Sequence, residues 1–227
     1  MNESDVLDVN QSIDGKILIR KVRRILYLAI KRTFDIIGSS IGLILLSPLF
    51  LVVIILIRKE DKGKAIFVQE RIGKNGKIFN LYKFRSMVHN ADEILKEMLK
   101  DPKIRKEYKK NMKLEHDPRI TKIGKILRKT SLDELPQLMN VLKGDMSLIG
   151  NRPYLPREKE DMGEYYQGII KSKPGITGYW QVMGRSKITF QERCKLESFY
   201  SNNRSLLLDI KIFFLTFYVV LKGKGAE

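Results

Sequence analysis

The sequence predicts an α+β protein attached to a membrane through one apolar helix. Three observations carry that expectation. From Ile36 to Ile57 run 22 residues without a charge. Two β-rich stretches, AIFVQERI and KIFNLYKF, flank Gly73-Lys74-Asn75-Gly76 and read as a hairpin, Asn-Gly being the strongest short turn signal. Around them, residues 16–33, 91–115 and Leu206–Leu221 set apolar side chains at helical spacing.

Taken in order, residues 1–15 hold Glu3, Asp5, Asp8 and Asp14 with no basic side chain, which reads as a frayed, flexible terminus. Residues 16–33 mix apolar and basic positions and read as an interfacial helix. The run Ile36–Ile57 is long enough to cross a hydrocarbon core, for which about 20 residues suffice. It starts too late and lasts too long for a cleavable signal peptide, and it shows no polar stripe of the kind a soluble core helix carries. Lys16, Arg20, Lys21, Arg23, Arg24, Lys31 and Arg32 precede it; Arg58, Lys59, Lys62 and Lys64 follow. Basic residues mark the cytoplasmic side of a membrane segment, and here both ends carry the mark. Mid-run stands Ser47-Pro48, a proline that removes a backbone donor and a serine able to satisfy the freed carbonyl. Two topologies fit: a helix that bends and returns to the same face, and an ordinary kinked crossing. Asp35, at the mouth, reads as an interfacial cap neutralised by Lys31 or Arg32.

The charged stretch 91–115 suits either a solvated helix face or an arm on anionic headgroups. Leu206–Leu221 is apolar but interrupted by Asp209 and Lys211, so its uncharged part is too short to span. It suits a helix in the interface or one packed on the membrane segment. The expected organisation is thus a terminus over 1–15, a membrane-associated part over 16–58 broken at Ser47-Pro48, and a catalytic domain over 59–227.

Composition narrows the function. The 227 residues carry 43 Lys+Arg against 26 Asp+Glu, a formal charge of +17. A single cysteine, Cys194, excludes an intrachain disulfide framework and a Cys-rich zinc module, and two histidines make a multi-histidine metal site a poor expectation. The surplus points to a polyanionic partner: nucleic acid, an anionic membrane face or phosphorylated substrates. The phosphate-loop and dinucleotide glycine patterns are both missing, and no serine has a convincing histidine partner. The chemistry left is that of carboxylates, arginines, lysines and a divalent metal.

Those residues concentrate between 117 and 182. Ser131 followed three positions later by Glu134 matches a capping box, which explains Glu134 but not Asp133. The pair Asp133-Glu134, just after Arg128 and Lys129, equally suits a carboxylate nucleophile beside a metal-holding neighbour. Magnesium takes one or two carboxylates plus substrate phosphates rather than a full protein cage. Gly150 and Pro153 bracket Asn151-Arg152 in a turn whose arginine could grip phosphate bidentately. The fixed loop Lys173-Pro174-Gly175-Ile176-Thr177-Gly178 leads to Trp180, a loop anchor or a nucleotide- or sugar-binding ring.

Taken together, Ser47-Pro48, Gln69-Glu70-Arg71-Ile72-Gly73, Lys83-Phe84-Arg85-Ser86-Met87, Asp117-Pro118-Arg119-Ile120-Thr121, Ser131-Leu132-Asp133-Glu134-Leu135-Pro136-Gln137, Arg152-Pro153 and Pro174-Gly175-Ile176-Thr177-Gly178 appear in this order. The set strongly resembles the bacterial sugar transferase family, the monotopic phosphoglycosyl transferases that begin capsule, exopolysaccharide and O-antigen assembly. The resemblance implies a re-entrant helix broken at Ser47-Pro48, on the cytoplasmic face of the bacterial inner membrane. It implies transfer of hexose 1-phosphate from a UDP-hexose to undecaprenyl phosphate with release of UMP. Asp133 is then the nucleophile forming a phosphosugar-aspartyl intermediate, Glu134 helps hold Mg²⁺, and Lys83, Arg85, Arg128 and Arg152, with Pro153, bind phosphates.

Two departures stand out: Asn151 where many members have proline, and Glu197 where many have aspartate. Asn151, Trp180 and Glu197 are therefore weaker site candidates. The chain resembles a short, catalytic-domain-only form. Two rival readings are a membrane-tethered basic module without catalysis and a phosphotransferase with a soluble acceptor. The first leaves Asp133-Glu134 unexplained and the second lacks a phosphate loop. Anionic lipids are expected partners, nucleic acid is not, a homodimer stays open, and no residue singles out the hexose.

Overall fold

A computed structural model of the chain describes residues 3–60, 63–111, 114, 116–184 and 188–221, and in these helices surround two small sheets. Helix α1 runs Glu3–Glu60, so residues 3–15, read from sequence as a frayed end, are helical; their acidic composition suits a helix start. Pro48 stands inside α1, whose helical assignment continues through Ser47-Pro48. Proline cannot donate to the carbonyl four residues back, that of Ile44. Ser47 Oγ donates to that carbonyl at 2.8 Å and keeps it satisfied.

The hairpin forms as the turn chemistry predicts. Strand β1, Ile66–Ile72, pairs antiparallel with β2, Ile78–Phe84, and Asn75 and Gly76 take positive φ in the turn. The charged stretch is two helices, α2 (Ala91–Met98) and α3 (Pro102–Asn111), because Pro102 can open a helix but not continue one. Residues 112, 113 and 115 of that stretch, Lys62, and 222–227 lie outside the described residues. Next come α4 (Lys122–Thr130), a 3-10 turn at Leu132–Glu134, α5 (Gln137–Lys143) and β3 (Ser147–Ile149). They are followed by α6 (Tyr166–Ile169), β4 (Gly175–Thr177), α7 (Tyr179–Met183), α8 (Phe190–Asn203) and α9 (Leu206–Leu221).

From Tyr27 to Glu60, one stripe of α1 rests on this body. Midway along the helix, Lys31 pairs with Asp209 of α9 at 2.7 Å, and Tyr27 donates to the same carboxylate at 2.9 Å. Arg32 donates to the carbonyls of Val141 and Leu142 at 2.6 and 2.7 Å, satisfying acceptors that the C-terminus of α5 leaves open. Asp35 is buried rather than an interfacial cap: its Oδ1 accepts from Ser147 Oγ and the Leu148 N–H, both at 2.9 Å. Of the two cations expected beside it, the charge of Lys31 supports this carboxylate together with its hydrogen bonds, while Arg32 is engaged with α5. Further along, Gly38 and Gly42 let Leu148 and Leu138 approach. Phe50 meets Phe84 edge-on at 5.1 Å, and Val53 and Ile57 join Phe84 and Leu127 in a core cluster. Finally, the Glu60 carboxylate accepts the first N–H groups of α4, from Lys122 at 2.7 Å and Ile123 at 3.0 Å. The opposite face, including Ile37, Ile41, Ile44, Leu45, Leu51 and Val52, is exposed.

Two further features position the site. Buried Asn140 on α5 clamps β2, accepting the Tyr82 N–H at 3.0 Å and donating to the Asn80 carbonyl at 2.7 Å. Strands β3 and β4 pair in parallel, which brings Gly150 against Gly175 and Gly178. A methyl group at Gly175 would overlap the Gly150 backbone nitrogen, so this loop needs glycine for close approach rather than for turning.

Gly175→Ala is expected to destabilise the protein by roughly 2–3 kcal/mol, as overpacking against backbone does, read as a lowered Tm in detergent. Gly15→Ala, with nothing near its Cβ, serves as control and is expected to leave Tm unchanged or raised.

Candidate active site

The site begins with how α4 starts and stops. Thr121 Oγ1 accepts the Gly124 N–H at 2.9 Å as an N-cap, and Glu60 covers the remaining first-turn donors. At the other end Ser131 adopts the left-handed conformation, φ 57°, and its N–H returns to the Arg128 carbonyl at 3.2 Å. Ser131 therefore closes α4 and leads into the 3-10 turn, its carbonyl accepting the Glu134 N–H at 3.3 Å while its side chain makes no cap. The capping-box reading of Ser131 and Glu134 is corrected accordingly.

This reversal sets Leu132–Glu134 as a short turn. Leu132 and Leu135 pack onto the Phe84–Leu127 cluster while Asp133 and Glu134 remain half-buried. From β2, Lys83 reaches across to pair with Glu134 Oε1 at 2.8 Å. Arg128, on the last turn of α4, donates through Nε to Ser86 Oγ at 2.9 Å and lies in electrostatic reach of Asp133. Burial pushes the Asp133 carboxyl above the usual aspartate range; Lys83 and Arg128 oppose that rise and Glu134 adds to it. The outcome is a carboxylate partly stripped of water yet flanked by two cations, the condition in which it is more nucleophilic than in bulk water. Arg85, just past β2, donates its N–H to the Ala65 carbonyl at 2.8 Å, and its guanidinium lies against Gly63 at the exit from α1.

The Arg152-Pro153 turn is held from two sides. The Arg152 N–H donates to Glu197 Oε1 at 2.6 Å. Arg71 donates to the Pro153 carbonyl at 3.0 Å and to Gln69 Oε1 at 2.6 Å, and the Ile72 N–H donates to the Tyr154 carbonyl at 2.8 Å. Asn151 is buried, its amide donating to the Ile169 carbonyl and Ser201 Oγ at 2.9 and 2.6 Å. Glu197 is fully buried, and burial raises its carboxyl to about 7. Both weaker candidates thus sit under the turn as braces. Trp180 belongs to a different neighbourhood on α7, where the Arg193 guanidinium stacks 5.1 Å from its ring.

The structure therefore gathers Lys83, Arg128, Asp133 and Glu134 into one cluster. Arg71, which the sequence placed in a motif but not in the site, connects it to the turn. Burial and the charge of Arg152 lower its pKa to about 10, and Glu134 acts on it in the opposite sense. Only its place in Gln69-Glu70-Arg71-Ile72-Gly73 could have flagged it. Among the described residues no three His, Cys, Asp or Glu side chains form a metal-holding group. Asp133 and Glu134 alone fit a hard cation that draws its other ligands from phosphate and water, as magnesium does.

An acid pair flanked by cations, on a body docked along a helix long and apolar enough to cross a membrane, is an arrangement suited to phosphate chemistry. The chain belongs to the bacterial sugar transferase family, whose model matches residues 26–223. It is 50% identical over 198 residues to the undecaprenyl-phosphate galactose phosphotransferase of Salmonella typhimurium, covering 87% of this chain and 41% of that protein. It is also 50% identical over 203 residues to the galactosyl transferase CpsE of Streptococcus agalactiae serotype III, covering 88% and 44%. With the exopolysaccharide production protein ExoY of Sinorhizobium fredii it shares 41% identity over 197 residues, covering 86% and 87%. The chain thus spans about two-fifths of the length of several curated relatives it matches.

Because Lys83 holds the Asp133 carboxyl down against burial, Lys83→Met is expected to raise its pKa further. Carbodiimide coupling, which consumes the protonated acid, checks this by peptide mass spectrometry across pH. Half-maximal labelling of Asp133 should move to higher pH in the variant; an unchanged or lower midpoint contradicts the assignment.

Proposed function

We propose that this chain transfers hexose 1-phosphate from a UDP-hexose to undecaprenyl phosphate, the first membrane step of capsule, exopolysaccharide or O-antigen synthesis. The observation that carries this reading is Asp133: a half-buried carboxylate between Lys83 and Arg128, on the turn that follows α4. The names of the relatives support the substrate class, being given for undecaprenyl-phosphate galactose transfer and exopolysaccharide production. Another, 39% identical over 210 residues, is named for N-acetylgalactosamine phosphate transfer in Aeromonas hydrophila.

In the first step an Asp133 oxygen attacks the sugar-bearing phosphorus of the donor. The bond from that phosphorus to the bridging oxygen breaks, and UMP leaves with the electron pair. In the second, an oxygen of undecaprenyl phosphate attacks the same phosphorus, and the Asp133 carboxylate departs unchanged. Charge grows on phosphate oxygens in both steps, where Lys83, Arg128, Arg85 and Arg152 would supply positive charge. Arg71 and Glu197 keep the Arg152 turn in place. Magnesium held by Glu134 and Asp133 would neutralise diphosphate charge when bound.

The same-side topology belongs to this proposal. Its support is that both flanks of the apolar run, at Lys31–Asp35 and at Glu60, bond to one polar body, while Gly42 in the middle meets Leu138. A helix crossing to the far side would have to give up one set of these contacts. The protein then lies on the cytoplasmic face of the bacterial inner membrane, with its acid pair near the interface where a polyprenyl phosphate head resides.

Asp133→Asn is expected to lower UMP release from UDP-hexose with undecaprenyl phosphate and Mg²⁺ by roughly 10³-fold or more. It should also abolish the hexose-phosphate mass adduct on the intact chain, while insertion in membranes persists. Retained turnover removes the nucleophile assignment. For topology, Gly15→Cys and Lys64→Cys in a Cys194→Ser background are expected to react with an impermeant thiol reagent from the cytoplasmic side alone; labelling from opposite sides removes the same-side reading.

A further inference from the structure

Away from Asp133, a cavity of about 230 Å³ opens between α1 and residues 171–173. On this measure a single water needs only roughly 15 Å³. Lys31, Arg32, Lys74, Lys171, Lys173 and Arg204 line it, with Asp35 supplying the carboxylate among the lining residues.

Most of these charges are already engaged. Lys31 is paired with Asp209, Arg32 serves the end of α5, and Asp35 accepts from Ser147 and Leu148. Arg204 donates to the Ser201 carbonyl at 2.7 Å, and Lys171 to Asn202 Oδ1 at 3.0 Å. Lys173 differs. Its half-buried ammonium makes no hydrogen bond or ion pair among the described residues, and it shares the space above Gly144 with the Arg32 guanidinium. A Cβ built on Gly144 would lie 3.4 Å from Arg32 Nη2 and 3.5 Å from Lys173 Nζ. Burial lowers the Lys173 pKa, Arg32 and Lys74 lower it further, and Asp35 and Asp145 oppose them. Lys173 and the Arg32 guanidinium face this space with Lys74 on its wall, so cations outnumber the Asp35 carboxylate among the lining residues and form a socket for an anion.

The position of the socket selects the anion. It meets α1 at Leu28–Asp35, immediately before the uncharged run begins at Ile36. Exposed Ile30, Phe34 and Ile37 on α1, and Leu207 and Ile210 on α9, surround this level. Leu132 and Leu135, beside Asp133, pack with α1 at residues 49–57, roughly 20 Å or more further along the helix at 1.5 Å per residue.

We propose that this cavity is a second phosphate site, distinct from the Asp133 cluster, which holds the phosphate of an anionic phospholipid through Lys173 with Lys74 and Lys171 beside it. It rests on the reading that the apolar face of α1 lies in a membrane. The headgroup would fix α1 at its charge boundary and set the depth of the body.

The test uses the whole chain in nanodiscs of phosphatidylcholine doped with phosphatidylglycerol, with retained lipids counted by native mass spectrometry. Wild type and Lys173→Arg should retain phosphatidylglycerol selectively. Lys173→Gln combined with Lys171→Gln should lower that retention roughly fivefold or more, each lysine near an anionic surface contributing on this scale. Lys173→Gln alone is judged by the same criterion if the pair perturbs folding by circular dichroism. Equal retention by wild type and variant, in protein that still floats with vesicles, overturns the cavity assignment and leaves the membrane reading standing. Wild type that fails to float removes both. Inorganic phosphate and UMP are titrated into detergent-solubilised protein as the soluble arm. Binding that Lys173→Gln abolishes, with phosphatidylglycerol retention unchanged, reassigns the socket to a soluble anion and overturns the lipid proposal.

Discussion

The contact of α1 with the body, made along one stripe from Tyr27 to Glu60, is the constraint on which the other features depend. An apolar helix gains little from packing on protein when lipid is equally apolar, so polar bonds must specify where it rests. They lie at its two ends. Lys31 and Tyr27 hold Asp209, Arg32 closes α5, and Glu60 opens α4. Small residues between them, Gly38 and Gly42, let the helix lie close. Charges that look misplaced in the sequence, Asp35 before the run and Asp209 inside an apolar helix, are both buried in this contact.

From that contact the site follows by short steps. Glu60 sets the first turn of α4, the left-handed Ser131 ends it, and the turn that follows carries Asp133 and Glu134 to Lys83 on the hairpin. Asn140 locks the hairpin to α5, whose last carbonyls take Arg32. The acid pair and the apolar helix α1 are thus coupled through α4 on one side and α5 on the other. A protein that brings a water-soluble nucleotide sugar to a lipid phosphate would need such coupling, because its reactive group must stay at a fixed depth.

Features governed by adjacent residues could be read directly. Asn75-Gly76 announced the hairpin, and the role of Ser47 beside Pro48 followed from which carbonyl a proline leaves open. With the Ile44 carbonyl satisfied, the helical assignment of α1 continues past Pro48. Ser131 misled because one local pattern serves both a helix start and the residue after a helix end; the deciding factor, Leu132 and Leu135 seeking Phe84, lies far away in sequence. The β3–β4 pair went unseen for the same reason, its strands being three residues long and paired across more than 20 residues of chain. In the candidate site, family likeness singled out Asp133, Glu134, Lys83 and Arg128, which the fold brings together. Arg71 was not separated from its motif, and Asn151 and Glu197 gave no sign that they brace the turn from beneath.

The most direct measurement of the central claim is a cross-link between the middle of α1 and the body. With Cys194→Ser as background, Gly42→Cys and Leu138→Cys place two thiols where Leu138 Cδ1 lies 3.1 Å from the Gly42 Cβ position. In native membranes a disulfide or short bismaleimide link is predicted to form in high yield, with UMP release preserved. No link under conditions that join control cysteines on adjoining strands would contradict the docking of α1.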